Sequence, residues 1–92
     1  MDRNRFKGDE GLKQKIKQND SGCIGKNIRR IRLAKGMGQT ELVRLLALQG
    51  VPITREGLVK IERGNQHIQV QQLNAIKKEL DTSFDELLKL DV

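Results

Sequence analysis

Arg55, Glu56 and Lys60 follow Thr54 in one short amphipathic stretch, and together they offer two cationic donors and one anionic acceptor. At helical spacing they share an outward face, while Leu58 and Ile61 point the other way. Arginine or lysine can donate to guanine O6 and N7, and glutamate can accept from cytosine N4, so such a face could address base edges in a major groove. The bland alternative is an ordinary solvated face. Rigidity separates the two, because a helix reads a groove only where something holds it there with phosphate-binding groups beside it.

Composition limits what else the chain could do. Ninety-two residues, 36% hydrophobic and 33% charged, suit one small domain with a modest core. Cys23 is the only cysteine and His67 the only histidine, so neither an internal disulfide nor a zinc site is expected. The first residues, Met1 to Arg5, lead into no apolar run that would read as a signal peptide. No stretch approaches the roughly 20 apolar residues of a membrane span, so the expected location is cytoplasmic and nucleoid-associated.

Net charge is +6, and its placement says more than its size. Residues 24–68 hold nine basic and three acidic side chains, whereas residues 69–92 hold three basic and five acidic ones. The positive charge therefore coincides with the stretch that carries Arg55 and Lys60, as a polyanion partner requires.

The elements that must position this face can be read from periodicity and punctuation. Residues 1–22 form a basic tail, disordered or partly helical, in which the spacing of Leu12 and Ile16 allows a short helix over roughly 9–18. A domain follows over 23–92. Ile24, Ile28, Ile31 and Leu33 predict a helix from about Ile24 to Gly36. A second runs from Gln39 to about Gln49, with Leu42, Val43, Leu45, Leu46 and Leu48 inward, and Gly50-Val51-Pro52 stops it. Thr54 caps a third over roughly 55–63 that ends at Gly64. A fourth, about 70–80, places Val70, Leu73, Ile76 and Leu80 on one face but lacks a Ser, Thr, Asp or Asn cap. Ser83 to Glu86 form a capping box that opens a fifth helix to about Leu90, with Phe84, Leu87 and Leu88 buried. No strand-like alternation is visible, so the predicted fold is all-α.

Four motifs in order carry a resemblance. Ile24-Gly25-Lys26-Asn27-Ile28-Arg29-Arg30-Ile31-Arg32 is followed by Gly36-Met37-Gly38-Gln39, then Ile61-Glu62-Arg63-Gly64, then Leu73, Ile76, Leu80 and Phe84 to Leu88. Over residues 24–90, about three quarters of the chain, this resembles the lambda-repressor-like (Xre-type) helix-turn-helix family of bacterial and phage DNA-binding regulators. Two features depart from its pattern. The turn before the third helix is longer, closer to a subset with an extended Leu-Gln-x-x-Gly-like turn, here Leu46-Ala47-Leu48-Gln49-Gly50, and Val43 stands where the family generally has alanine.

The resemblance implies a five-helix domain whose third helix enters the major groove. It implies base contacts from Arg55, Glu56 and Lys60, and phosphate contacts from Gln39, Thr40, Thr54, Asn65, Gln66 and His67. It also implies a structural ion pair between Arg32 and Glu62 that ties the first helix to the end of the third. The expected partner is double-stranded DNA, bound by a homodimer on a two-fold site, and the expected role is a transcriptional repressor that occupies its site.

Other classes fit less well. Single-stranded RNA recognition usually needs aromatic platforms, and the chain has only Phe6 and Phe84. No Ser/His/Asp set, metal cluster or glycine-rich phosphate loop is recognisable, so no enzyme, cofactor or small-molecule ligand is expected. The serious rival is an antitoxin or protein-interaction adapter that docks on a partner protein, against which Arg55, Lys60 and Arg63 argue.

Overall fold

The computed structural model describes residues 15–16 and 23–90. These residues form a mostly helical fold of five helices: α1 Cys23–Ala34, α2 Gln39–Leu48, α3 Arg55–Glu62, α4 Val70–Leu80 and α5 Phe84–Leu87. Beside them, β1 Lys15–Ile16 pairs antiparallel with β2 Ile68–Gln69, setting Lys15 opposite Gln69 and Ile16 opposite Ile68. The two positions described in the tail are thus strand, where apolar spacing allowed a helix. The reason is tertiary. The chain arrives extended at α4, with Gln69 at φ −86° and ψ 154°, and extended backbone takes its hydrogen bonds from a neighbouring strand. The rest of the expected tail lies outside the described residues.

One core gathers the inward face of every helix. Ile24, Ile28 and Ile31 of α1 meet Leu42 and Leu46 of α2, Leu58 and Ile61 of α3, Leu73, Ile76 and Leu80 of α4, and Leu87 of α5. Several residues expected inside are not there. Leu48 is 75% exposed, because two positions after Leu46 the helix has turned away from the core. Leu33, Val70, Phe84 and Leu88 also lie at the surface. Their places are taken partly by Ile53 and Ile68, buried residues outside the helices.

Helix ends follow a shared rule. Past α1, the N–H of Gly36 reaches Leu33 O at 3.0 Å and that of Met37 reaches Arg32 O at 3.1 Å. Gly50 and Val51 repeat this after α2, and Gly64 and Asn65 after α3. The first of each pair takes a left-handed conformation, for example φ 82° at Gly50, which glycine adopts without a Cβ clash. Left-handed residues close these helices early, so α1, α2 and α3 end at Ala34, Leu48 and Glu62, a little short of the expected Gly36, Gln49 and residue 63.

The six residues between α2 and α3 are held rather than loose. Ile53 is buried and Val51 packs against the core. Gln49 Nε2 donates to Ala75 O at 3.1 Å and Glu79 Oε2 at 2.7 Å, fastening the start of this turn to α4. The missing cap of α4 is also explained, since Gln72 Oε1 accepts from the N–H of Gln69 at 2.9 Å. At the far end α5 stops at Leu87 rather than about Leu90. Asn27 of α1 donates through Nδ2 to the carbonyls of Leu87 and Lys89, both at 2.9 Å, and so captures that chain end.

Candidate functional site

α3 is set at both ends. At its start Thr54 is extended, with φ −75° and ψ 161°, and its Oγ1 accepts from the N–H of Gly57 at 2.9 Å. At its end Glu62 is buried, 5% exposed, and a buried carboxylate must be paired. Arg32 of α1 supplies the pair through two parallel bonds, Nε to Oε2 at 2.8 Å and Nη2 to Oε1 at 3.0 Å. The fork geometry of guanidinium suits a carboxylate in this side-on arrangement. Arg32 Nη1 also donates to Met37 O at 2.8 Å, and Gln39 Nε2 to Glu62 Oε1 at 3.0 Å. The buried Arg32–Glu62 pair therefore joins α1, the turn after it, the first residue of α2 and the end of α3.

Backbone contact adds a second constraint. A Cβ built on Gly25 would collide with Ile61 O and lie 2.8 Å from Glu62 O. The α1 and α3 backbones touch here, and only glycine permits the approach.

With its inner face fixed, α3 turns Arg55, Glu56 and Lys60 to solvent, beside exposed Thr54. Val59, partly buried, and exposed Arg63 share that face at helical spacing. Arg55, Val59 and Arg63 line a depression of about 280 Å³ together with Glu62, Arg29 of α1 and Gln39 of α2. Arg29, Arg55, Lys60 and Arg63 have no anionic partner among the described residues.

Gln39, expected at a phosphate, has a structural contact as well. Its side-chain amide turns inward onto Glu62 and joins the buried network. The start of α2 also offers backbone donors. Its cap, Gly38, brings no side-chain acceptor to the first-turn N–H groups, where exposed Thr40 also sits.

Beyond α3, Asn65, Gln66 and His67 line a polar depression of about 390 Å³ with Gln69 and Gln72. The chain folds back there, since a Cβ on Gly57 would lie 3.8 Å from Gln66 Nε2. The side-chain amide of Gln66 thus lies near the start of α3.

Arg29 and Val59 were not singled out by sequence reasoning, and of the two only Val59 could have been found by spacing. Val59 and Arg63 continue the Arg55 face four and eight residues on, whereas Arg29 comes to this depression from another helix. Among the described residues no helix is long and apolar enough to cross a membrane, and no group of three or more His, Cys, Asp or Glu could hold a metal ion. Compared with known proteins, the chain matches no family model, no curated protein and no solved structure.

Proposed function

We propose that this protein is a sequence-specific double-stranded DNA-binding regulator of the lambda-repressor-like (Xre-type) helix-turn-helix kind, a repressor that acts by occupying its site. The observation that carries the reading is the pairing of opposites on α3. Its inner end is locked by a buried bidentate ion pair, and its outer face presents Arg55, Glu56, Lys60 and Arg63 to solvent. Groove reading requires a charged helix held as closely as this one.

In this reading Arg55, Glu56 and Lys60 address base edges. The backbone start of α2 with Thr40, and Thr54, Asn65, Gln66 and His67, contact phosphates on either side. The protein acts in the cytoplasm on nucleoid DNA, as a homodimer on a two-fold site. Exposed apolar Val70 and Phe84, which line one depression, support a contact between copies.

Selection from random duplexes tests this, run in parallel on the wild type and on Arg55→Ala. The expected result is an enriched motif whose information at one base position per half-site disappears in the variant, with an affinity cost of about 1–3 kcal/mol. If the two motifs match and only overall affinity falls, Arg55 is a phosphate clamp. If no motif is enriched at all, the protein does not read DNA sequence.

A further inference from the structure

The positive surface does not stop at α3. Lys26, Arg29 and Arg30 of α1 line a second depression of about 380 Å³ with Asn27, Lys89, Leu90 and the buried Glu62. Arg29 lines this depression and also the one beside Arg55 and Arg63, so the two are neighbours along α1. Lys89 is brought here by a specific device, since buried Asn27 donates to its carbonyl oxygen at 2.9 Å. Opposing charge is sparse among the described residues. Glu86 meets Arg30 at 3.7 Å with both side chains about half exposed, and Glu62 is already committed to Arg32. Arg29 and Lys89 have no anionic partner among the described residues. That leaves Arg29 and Lys89 as exposed cations at this depression, and an anion bound there would be favoured by both.

We infer that this α1–α5 surface is a second phosphate-binding track, which continues the DNA contact past the groove-reading helix onto the backbone flanking the site. The inference rests on the DNA-binding reading above and extends it. Two features favour duplex backbone over a single small anion. The cations are spread across two adjoining depressions rather than focused on one point, and the band begins at the α3 face itself. Backbone contacts of this kind carry no sequence information but release counterions, so they are read in salt dependence.

The experiment measures duplex affinity against salt concentration for the full chain, on a mixed-sequence duplex of about three helical turns (~30 base pairs). Wild type is compared with Arg29→Gln/Lys89→Gln and with the charge-conserving Arg29→Lys/Lys89→Arg. Both side chains are exposed, and thermal melting checks that the folds match. The neutral pair is expected to reduce the slope of log K against log salt by about 0.9 for every phosphate that the variant no longer neutralises, and the conserving pair to restore it. An unchanged slope in the neutral pair, with duplex binding intact, overturns the track and assigns the surface elsewhere, for instance to an acidic protein. If the wild type itself shows no salt-dependent duplex binding, the DNA reading fails and takes this inference with it, so the two failures are distinct.

Discussion

At the scale of single residues, two positions fix where α3 lies, and both are sheltered from solvent or pressed against backbone. Glu62 accepts three bonds, two from Arg32 and one from Gln39, in a place where an unpaired charge is costly. Glu62→Ala strands the Arg32 guanidinium in the core and is expected to lower stability by about 3–5 kcal/mol in chemical denaturation. Lys60, two residues earlier and exposed, tells the opposite story. Lys60→Ala is expected to leave stability within about 0.5 kcal/mol while weakening duplex binding. The reverse pattern in the two assays means that the structural and reading charges have been exchanged. Gly25 makes the same point through sterics. The atoms a new Cβ meets are backbone carbonyls of α3, which cannot rotate away as a flexible side chain would. Gly25→Ala should therefore cost about 1–3 kcal/mol, measured by melting, and move α3 away from α1.

At the scale of elements, the helix ends show what local sequence can and cannot convey. Gly36, Gly50 and Gly64 are legible stops because a left-handed residue is a local demand, and Thr54 is a legible start for the same reason. α4 ends by the same two-bond device, but its left-handed residue is Asp81, at φ 52°. This carries two costs, a Cβ in the left-handed region and a negative charge at a helix C-terminus. Asp81→Asn removes the charge and Asp81→Gly removes both, so each should raise the melting temperature. Glycine's net gain should be about 1 kcal/mol, despite the added freedom of its unfolded chain. A fall in stability in both variants contradicts this account of the helix end.

Features that the sequence left hidden are those decided at long range. α5 stops early because Asn27, 60 residues away from Leu87, takes its carbonyl. β1 is a strand because Ile68 and Gln69 lie beside it, and the side chain of Gln39 turns inward because Glu62, 23 residues on, is there to receive it. The outward set Arg55, Glu56 and Lys60 could be read because Leu58 and Ile61 define the inner face within the same two turns. Arg29 belongs to the site only because α1 crosses α3 at Gly25, which no local pattern states.

At the scale of the whole molecule, the proposed DNA reading asks a short helix to specify a site. α3 has eight residues, about 12 Å of helix, and its solvent face offers side chains for only a few base pairs. Each correct base pair contributes about 1–3 kcal/mol of discrimination, so one such face leaves many chance matches in any genome. Doubling the face by symmetry resolves this, and the proposed homodimer sets a geometric condition. Two copies related by a two-fold axis present their α3 helices to one side of the duplex only when the half-sites lie about one helical turn apart, ~10 base pairs, or a multiple of it. Inserting about 5 base pairs, half a turn, between the halves of the selected site should rotate one half out of reach and cut affinity toward that of a single half-site. Inserting about 10 should recover part of that affinity if the contact between copies can span the added length. Gel-shift titrations on the three duplexes measure this, and steep, concentration-dependent binding should accompany only the correctly phased ones. Equal affinity and equal steepness on all three would mean that each chain binds alone, and that specificity rests on the α3 face and its flanking phosphate contacts without a partner.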